Sequence, residues 1–326
     1  MNKLNRKLVT KPWQASVGQA ILYDAFIGVV GYEKRASYIA SKVVRQVKKL
    51  YACAFDERKV YSYNNNYEWF KEQDSYIEEI SDQSYKDWCQ KVINEIVLGS
   101  DNRINVCVDI SSMSRYRIAA LVAALFENES SKSICVDFLY APAEYSSPNL
   151  EEGPITFAKP VMETFAGWTN EPNDPPVVII GLGYERDKAV GIVEYIEPGE
   201  VWAFMPYGVD ERYDAEVKRA NKAFFEVLPT DHIVNYSVNR PFECFTDLES
   251  LIYGISRVGR PILIPFGPKI FSLCCLLISI LHYPSISVWR VSSGQYDKAL
   301  DKSPNGSIVG ITAEFTNSSD TGDSSK

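Results

Sequence analysis

The sequence carries the same set of landmarks twice. Residues 26–35 read FIGVVGYEKR and residues 177–186 read VVIIGLGYER, so Gly31-Tyr32-Glu33 and Gly183-Tyr184-Glu185 stand 152 positions apart. Three more pairs follow in the same order: YACAFD at 51–56 with VWAFMP at 201–206, VCVDISS at 106–112 with ILIPFGP at 262–268, and VDFLY at 136–140 with VWRVS at 288–292. Self-similarity at a fixed period marks a repeated architecture. A chain of 326 residues has room for two domains of the usual ~100–200 residues, and two diverged copies of one unit fit that length.

Each copy has the same internal order. A short Val/Ile-rich run reads as a buried strand, and a Gly-Tyr-Glu turn follows it. Next comes a helical stretch, Ala36 to Leu50 or Arg186 to Ile196, then a strand near Tyr51 or Val201. A polar helical region follows, Tyr67 to Leu98 or Arg212 to Leu228, with an extra short strand at His232 to Ser237 expected in the second copy only. A third shared strand, an apolar helix (Tyr116 to Phe126 or Ile270 to His282) and a fourth shared strand close the unit. Strands alternating with helices imply right-handed crossovers and a covered parallel sheet. The expected fold class is α/β, two tandem, pseudo-symmetric Rossmann-like units with mostly parallel sheets. The expected boundaries are a basic arm over 1–20, a first unit over 21–150, a Pro-rich crossing segment over 151–175 packed through Phe157, Phe165 and Trp168, a second unit over 176–316, and a disordered Ser/Asp/Gly-rich tail over 317–326.

Composition narrows the function classes. Hydrophobic residues make up 46% and charged residues 23%, as in globular proteins. A net charge of −8 disfavours general duplex DNA binding, which calls for a basic surface; a local basic pocket stays compatible with it. Lys3, Arg6, Lys7 and Lys11 make the first eleven residues basic, either as a solvated arm or as an arm for nucleic acid or a partner. The seven cysteines form no CxxC pair and there are two histidines, His232 and His282, so no metal is expected. Scattered cysteines inside apolar runs suit a reducing cytoplasm. The opening residues lack the apolar core of a signal peptide. The apolar run Ile270 to Leu281 falls short of the ~20 residues that span a bilayer, so no membrane partner is expected.

In open parallel sheets, ligands bind beyond the carboxyl ends of the strands. That rule selects four loops: the two Gly-Tyr-Glu turns, Asp109 to Arg115, and Pro265 to Lys269. Candidate ligand-binding residues are Gly31, Tyr32, Glu33, Arg35, Ser111, Ser112, Ser114, Arg115, Gly183, Tyr184, Glu185, Arg186, Gly267 and Lys269. Three hydroxyls and Arg115 suit phosphate. Asp109 could be a general base, a ribose ligand or a helix cap, with Glu33 and Glu185 as further acid/base candidates. The acid–base pairs Glu33/Arg35 and Glu185/Arg186 read equally as ligand-binding pairs or as salt bridges. Gly181-x-Gly183 begins like a dinucleotide fingerprint, but Arg186 stands at its third glycine, and GxxxxGK[ST] and GxSxG are absent; no cofactor is expected. Neither histidine has the Ser or Cys company of a nucleophilic triad.

The strand, hydroxyl-rich loop and apolar helix in VCVDISSMSRYRIAALVAAL at 106–125 resemble the signature segment of CARF domains, Rossmann-like sensors of prokaryotic antiviral defence. Two such units in one chain are similar to the SAVED arrangement. The loop departs from the family's Gly-Gly-Thr-Lys-like character, with Ser-Ser-Met-Ser-Arg in one copy and Pro-Phe-Gly-Pro-Lys in the other. The resemblance implies a cyclic or linear oligonucleotide, or another nucleotide signal, held by strand-end loops between the two units, and a possible protein partner in a defence complex. Two other readings remain: an enzyme acting on nucleotides or nucleic acid through Asp109 and the Gly-Tyr-Glu carboxylates, and a non-binding scaffold subunit.

Overall fold

The computed structural model describes residues 6–14, 22–100, 103–148, 153–168, 173–208, 210–294 and 299–317. In chain order its elements are β1 (Arg6–Pro12), β2 (Ala25–Val30), α1 (Tyr38–Val43), β3 (Leu50–Phe55), α2 (Tyr63–Glu72), β4 (Tyr76–Ile80), α3 (Tyr85–Leu98), β5 (Arg103–Asp109), α4 (Arg115–Phe126) and β6 (Ser133–Tyr140). They continue with β7 (Phe157–Pro160), β8 (Pro176–Gly181), α5 (Lys188–Ile196), β9 (Glu200–Tyr207), α6 (Glu211–Ala220), α7 (Lys222–Val227), β10 (Ile233–Ser237), α8 (Pro241–Ile255), β11 (Arg260–Pro265), α9 (Lys269–Leu281), β12 (Ser287–Ser292) and β13 (Val309–Asn317).

The chain forms two compact α/β units, one of Met1–Ala143 with Leu300–Lys326 and one of Glu144–Ala299. Both sheets are mostly parallel and Rossmann-like. In the first the strand order is β4-β3-β2-β5-β6-β13-β1, with β13 and β1 antiparallel to their neighbours. In the second it is β10-β9-β8-β11-β12-β7, with β7 antiparallel. The five parallel strands of each unit, counted along that unit, run 3-2-1-4-5. The order reverses between β2 and β5 in one unit and between β8 and β11 in the other, which makes each a topological switch point.

The central strands are apolar because both faces are covered. Every residue of β2 is buried, and so are Val178 to Ile180 in β8. The covering helices follow the same logic. All of α4 from Arg117 to Phe126 is buried, as is all of α9 from Ile270 to Ile280. A helix apolar all round belongs in a core. All seven cysteines are buried free thiols. No helix among the described residues is long and apolar enough to cross a membrane.

Several boundaries differ from the sequence reading. The region Tyr67 to Leu98 is not continuously helical: β4 interrupts it, so the extra strand is not peculiar to the second copy. YIEEI was hidden because β4 is an edge strand, where Glu78 and Glu79 face outward to Lys91 and Lys59, a usual way of guarding an edge. The first shared helix is only Tyr38–Val43, flanked by short 3-10 turns. The second unit does not extend to residue 316. β13 crosses back into the first sheet, where Ile311, Ala313 and Phe315 are buried and the Thr312 hydroxyl donates to Asp137 at 2.5 Å. The basic arm is a strand from Arg6 onward: the Arg6 guanidinium donates to Asn128 (3.0 Å) and to the Ser130 carbonyl (2.7 Å), while Lys7 and Lys11 stay exposed. In the crossing segment, β7 joins the second sheet and Phe165 is fully buried, but Trp168 is 68% exposed rather than packed. Lys3 and residues 318–326 of the tail lie outside the described residues.

Candidate functional site

In the first unit the strand-end loops on both sides of the switch point are joined by one buried polar network. Glu33 accepts from Arg35 Nε at 2.6 Å. Arg35 Nη1 donates to the Ala141 carbonyl at 2.7 Å, and the Ala141 amide donates to Ser111 Oγ at 2.8 Å. The Ser111 amide in turn donates to Asp109 Oδ1 at 2.8 Å. The ends of β2, β5 and β6 are thus linked through residues that are all at most 6% exposed. Burial works against the Arg35 charge, but the Glu33 carboxylate outweighs it and holds the guanidinium above its usual range. The same guanidinium lies 5.4 Å from the Tyr140 ring centroid. Of the two readings of the Glu33/Arg35 pair, the structure therefore favours a salt bridge. A buried pair of this kind survives because its hydrogen bonds are completed.

The remaining sequence candidates divide by role. Ser114, not Asp109, caps α4: its hydroxyl accepts from the Arg117 amide at 3.2 Å. Asp109 instead closes the turn beneath it. Arg115 is half-buried in the first turn of α4. Gly31 opens the other side of the fork, where a side-chain methyl would lie 3.3 Å from Ser112 Cβ. Ser112 is 6% exposed, and its hydroxyl has no hydrogen-bond partner. Tyr32 is half-buried 6.1 Å from the Phe55 ring, and burial pushes its hydroxyl above the usual range.

The second unit builds its switch point differently. Glu185 does not pair with Arg186. Its carboxylate crosses the fork and accepts from the Gly267 amide at 3.2 and 3.3 Å. Gly267 adopts φ 67° with the Leu182 carbonyl against it, and a methyl on Gly183 would run into Glu185 and Gly267. The two loops are in backbone contact. Arg186 is 61% exposed and pairs with Asp187 at 3.3 Å; it opens onto a groove of about 610 Å³ shared with Arg219, Lys222 and Glu226. Tyr184 stacks on Tyr213, ring centroids 5.9 Å apart and planes within 14°, and burial raises its hydroxyl. Lys269 is half-buried at the start of α9.

Three features were missed in the sequence. Asn66 donates through Nδ2 to the carbonyls of Gly31 and Glu33, both at 2.9 Å, and Asn221 does the same to Gly183 at 2.8 Å. These two clamps stand 155 positions apart, within the spread of the duplicated landmarks, which is the signal that could have found them. Arg117 is 1% exposed and bonds Asp82 (2.7 Å), the Ile80 carbonyl (2.7 Å) and Cys53 Sγ (3.2 Å). The third feature is Asp301, whose carboxylate reaches Lys34 and Ser62 from far along the chain.

Chemically, the first fork is a rigid polar floor. Cys53 is no nucleophile, since burial raises its thiol to about 12 despite Arg117 beside it. Among the described residues no group of three or more His, Cys, Asp or Glu is placed to hold a metal ion.

No protein-family model matches the chain, and no curated protein matches it. Among solved structures, a T. thermophilus 16S rRNA N2 G1207 methyltransferase in complex with AdoMet and guanosine aligns over 92% of this chain and 89% of its own. The identity is 8% and the TM-score 0.20, a likeness too slight to carry any argument about this chain.

Proposed function

We propose that the strand-end edge of the first unit binds a nucleotide or short oligonucleotide signal, and that the chain is a sensor module of a prokaryotic antiviral defence system. The observation that carries the binding reading is Ser112: a buried hydroxyl without a hydrogen-bond partner, facing Gly31 at the switch point, beside a network of buried hydrogen bonds. A buried polar group left unmatched costs about 1–3 kcal/mol, and a ligand oxygen would remove that cost. Arg115 at the start of α4 supplies the positive charge a phosphate needs. The nucleotide class and the defence role rest on the resemblance of residues 106–125 to CARF-type sensors.

The test is a thermal-shift panel of mono-, di- and cyclic nucleotides, with mass spectrometry of small molecules released from the purified chain. A true ligand at a hundredfold excess over Kd stabilises by about 2.7 kcal/mol. Arg115→Ala is expected to abolish that gain, and Lys269→Ala to leave it intact. If no nucleotide raises the melting temperature and none is released, the reading falls. A stable co-purifying protein would then favour the scaffold reading, which the closed fork of the second unit already suits. Time-dependent loss of a bound nucleotide would instead mark an enzyme.

A further inference from the structure

The chain that returns to the first unit does more than deliver β13. Between Leu300 and Ser307 it runs along the carboxyl ends of the parallel strands. The Lys34 amide donates to Asp301 Oδ1 at 2.8 Å, and Ser62 Oγ donates to Asp301 Oδ2 at 3.0 Å. The Arg35 amide donates to the Lys302 carbonyl at 3.2 Å, and Asn305 donates to Pro142 at 2.9 Å. The Tyr38 hydroxyl donates to the Gly306 carbonyl at 2.9 Å, and Ala143 forms a β-bridge with Pro304.

The segment is therefore tied to the connections after β2, β3 and β6, three of the loops that border a ligand edge in a sheet of this order. Up to Ser307 these contacts are polar, and apolar packing against the core begins at Ile308. Its residues from Asp301 to Ile308 are half-buried or exposed, and burial resumes only at Val309 in β13. A segment with little buried apolar surface opens more easily than the core it covers. The nearby loop after β3 is strained as well: Arg58 and Tyr61 have φ of 59° and 52°, and non-glycine residues in that region persist only where their surroundings hold them.

We propose that Leu300–Ser307 is an autoinhibitory strap, with the Asp301 carboxylate occupying donors at the first unit's strand-end edge that an anionic, phosphate-bearing ligand requires. This rests on the ligand-binding reading above. A negative charge fixed at the edge repels a second one, so the ligand enters only when the strap lifts, and the strap lifts when the ligand wins the donors. Binding and release of the strap are then linked reciprocally.

The experiment uses the full chain, with pyrophosphate and cyclic di-AMP as probes. Binding is read by calorimetry, and strap opening by trypsin cleavage after Lys302, followed by mass spectrometry. Asp301→Asn keeps the shape and one acceptor oxygen but removes the charge. Support consists of about tenfold tighter probe binding by Asp301→Asn, at least fivefold faster cleavage after Lys302 in the variant without ligand, and faster cleavage in the wild type when a probe is bound. Ser62→Ala removes one of the two donors and serves as the second variant if Asp301→Asn folds poorly; it is expected to speed cleavage in the same direction. If the wild type binds a probe while Asp301→Asn binds no tighter and Lys302 stays protected, the strap is overturned and the ligand-binding reading stands. If neither protein binds a probe, the ligand-binding reading is overturned and the strap with it.

Discussion

The two units share a strand order and differ in what fills the fork. In the first, Glu33, Arg35, Ser111 and Asp109 form a chain of buried hydrogen bonds around Gly31, and the Ser112 hydroxyl lies unmatched beside it. In the second, Glu185 reaches across to the Gly267 amide and the loops touch backbone to backbone. A duplicated fold thus keeps its topology and its asparagine clamps while one copy invests its fork in buried polar groups and the other closes it. Topology is set by many apolar contacts and survives divergence, whereas a site depends on a few polar residues and does not.

The comparison can be broken first at the matched cations. Arg35→Ala strands the buried Glu33 carboxylate and is expected to cost about 3–5 kcal/mol, while Arg186→Ala, at an exposed pair, is expected to stay within about 0.5 kcal/mol. Urea denaturation measures both, and hydrogen exchange over β2–β6 and β8–β12 assigns the loss to one unit. Equal effects would mean the forks are equivalent.

The matched glycines come next, with the asymmetry reversed. Gly183→Ala forces apart loops already in contact and is expected to cost about 3 kcal/mol. Gly31→Ala needs only a small shift of Ser112 and is expected to cost about 1 kcal/mol or less. The clamps give a smaller difference: Asn66→Ala leaves two buried carbonyls, at Gly31 and Glu33, without this donor and is expected to cost about 2–3 kcal/mol. Asn221→Ala likewise leaves two carbonyls, at Gly183 and Val217, without their side-chain donor, but breaks no counterpart of the bond from the Ser37 hydroxyl to Asn66, and the expected loss is slightly smaller.

The smallest effect sharpens the contrast in how charge is housed. Burial raises the Asp214 carboxyl in the second unit above its usual range. A carboxyl with a raised folded pKa contributes stability below its unfolded pKa and loses it as pH rises through the folded value. At pH 7 the charged form therefore weighs against the fold. Asp214→Asn is expected to stabilise the second unit by less than about 0.5 kcal/mol after solvent screening, with the gain vanishing below about pH 4; melting curves across pH 3–7 measure it.

Much of the fold was legible in the sequence because apolar runs and their order are local facts. The β2, β5, β8 and β11 runs, the turns behind them and the two buried helices α4 and α9 could all be read from composition and spacing. The edge strand β4 could not, since none of its residues is buried and its consecutive glutamates put one carboxylate on each face. Within the site, sequence located the loops and their residue types, but it paired Glu185 with Arg186, which the structure separates, and it offered Asp109 as a helix cap, a role that Ser114 takes.

By itself, then, the sequence determined the alternation of strands and helices and the loops where a ligand edge must lie, because each depends on neighbours within a few residues, and the duplication, because those local patterns recur in the same order. Tertiary structure alone decided that β13 belongs to the first sheet, that Asp301 reaches Lys34 and Ser62 across more than two hundred positions, and that one fork is closed and the other polar. Those outcomes depend on which hydrogen-bonding groups become buried together, and a linear pattern does not encode that meeting.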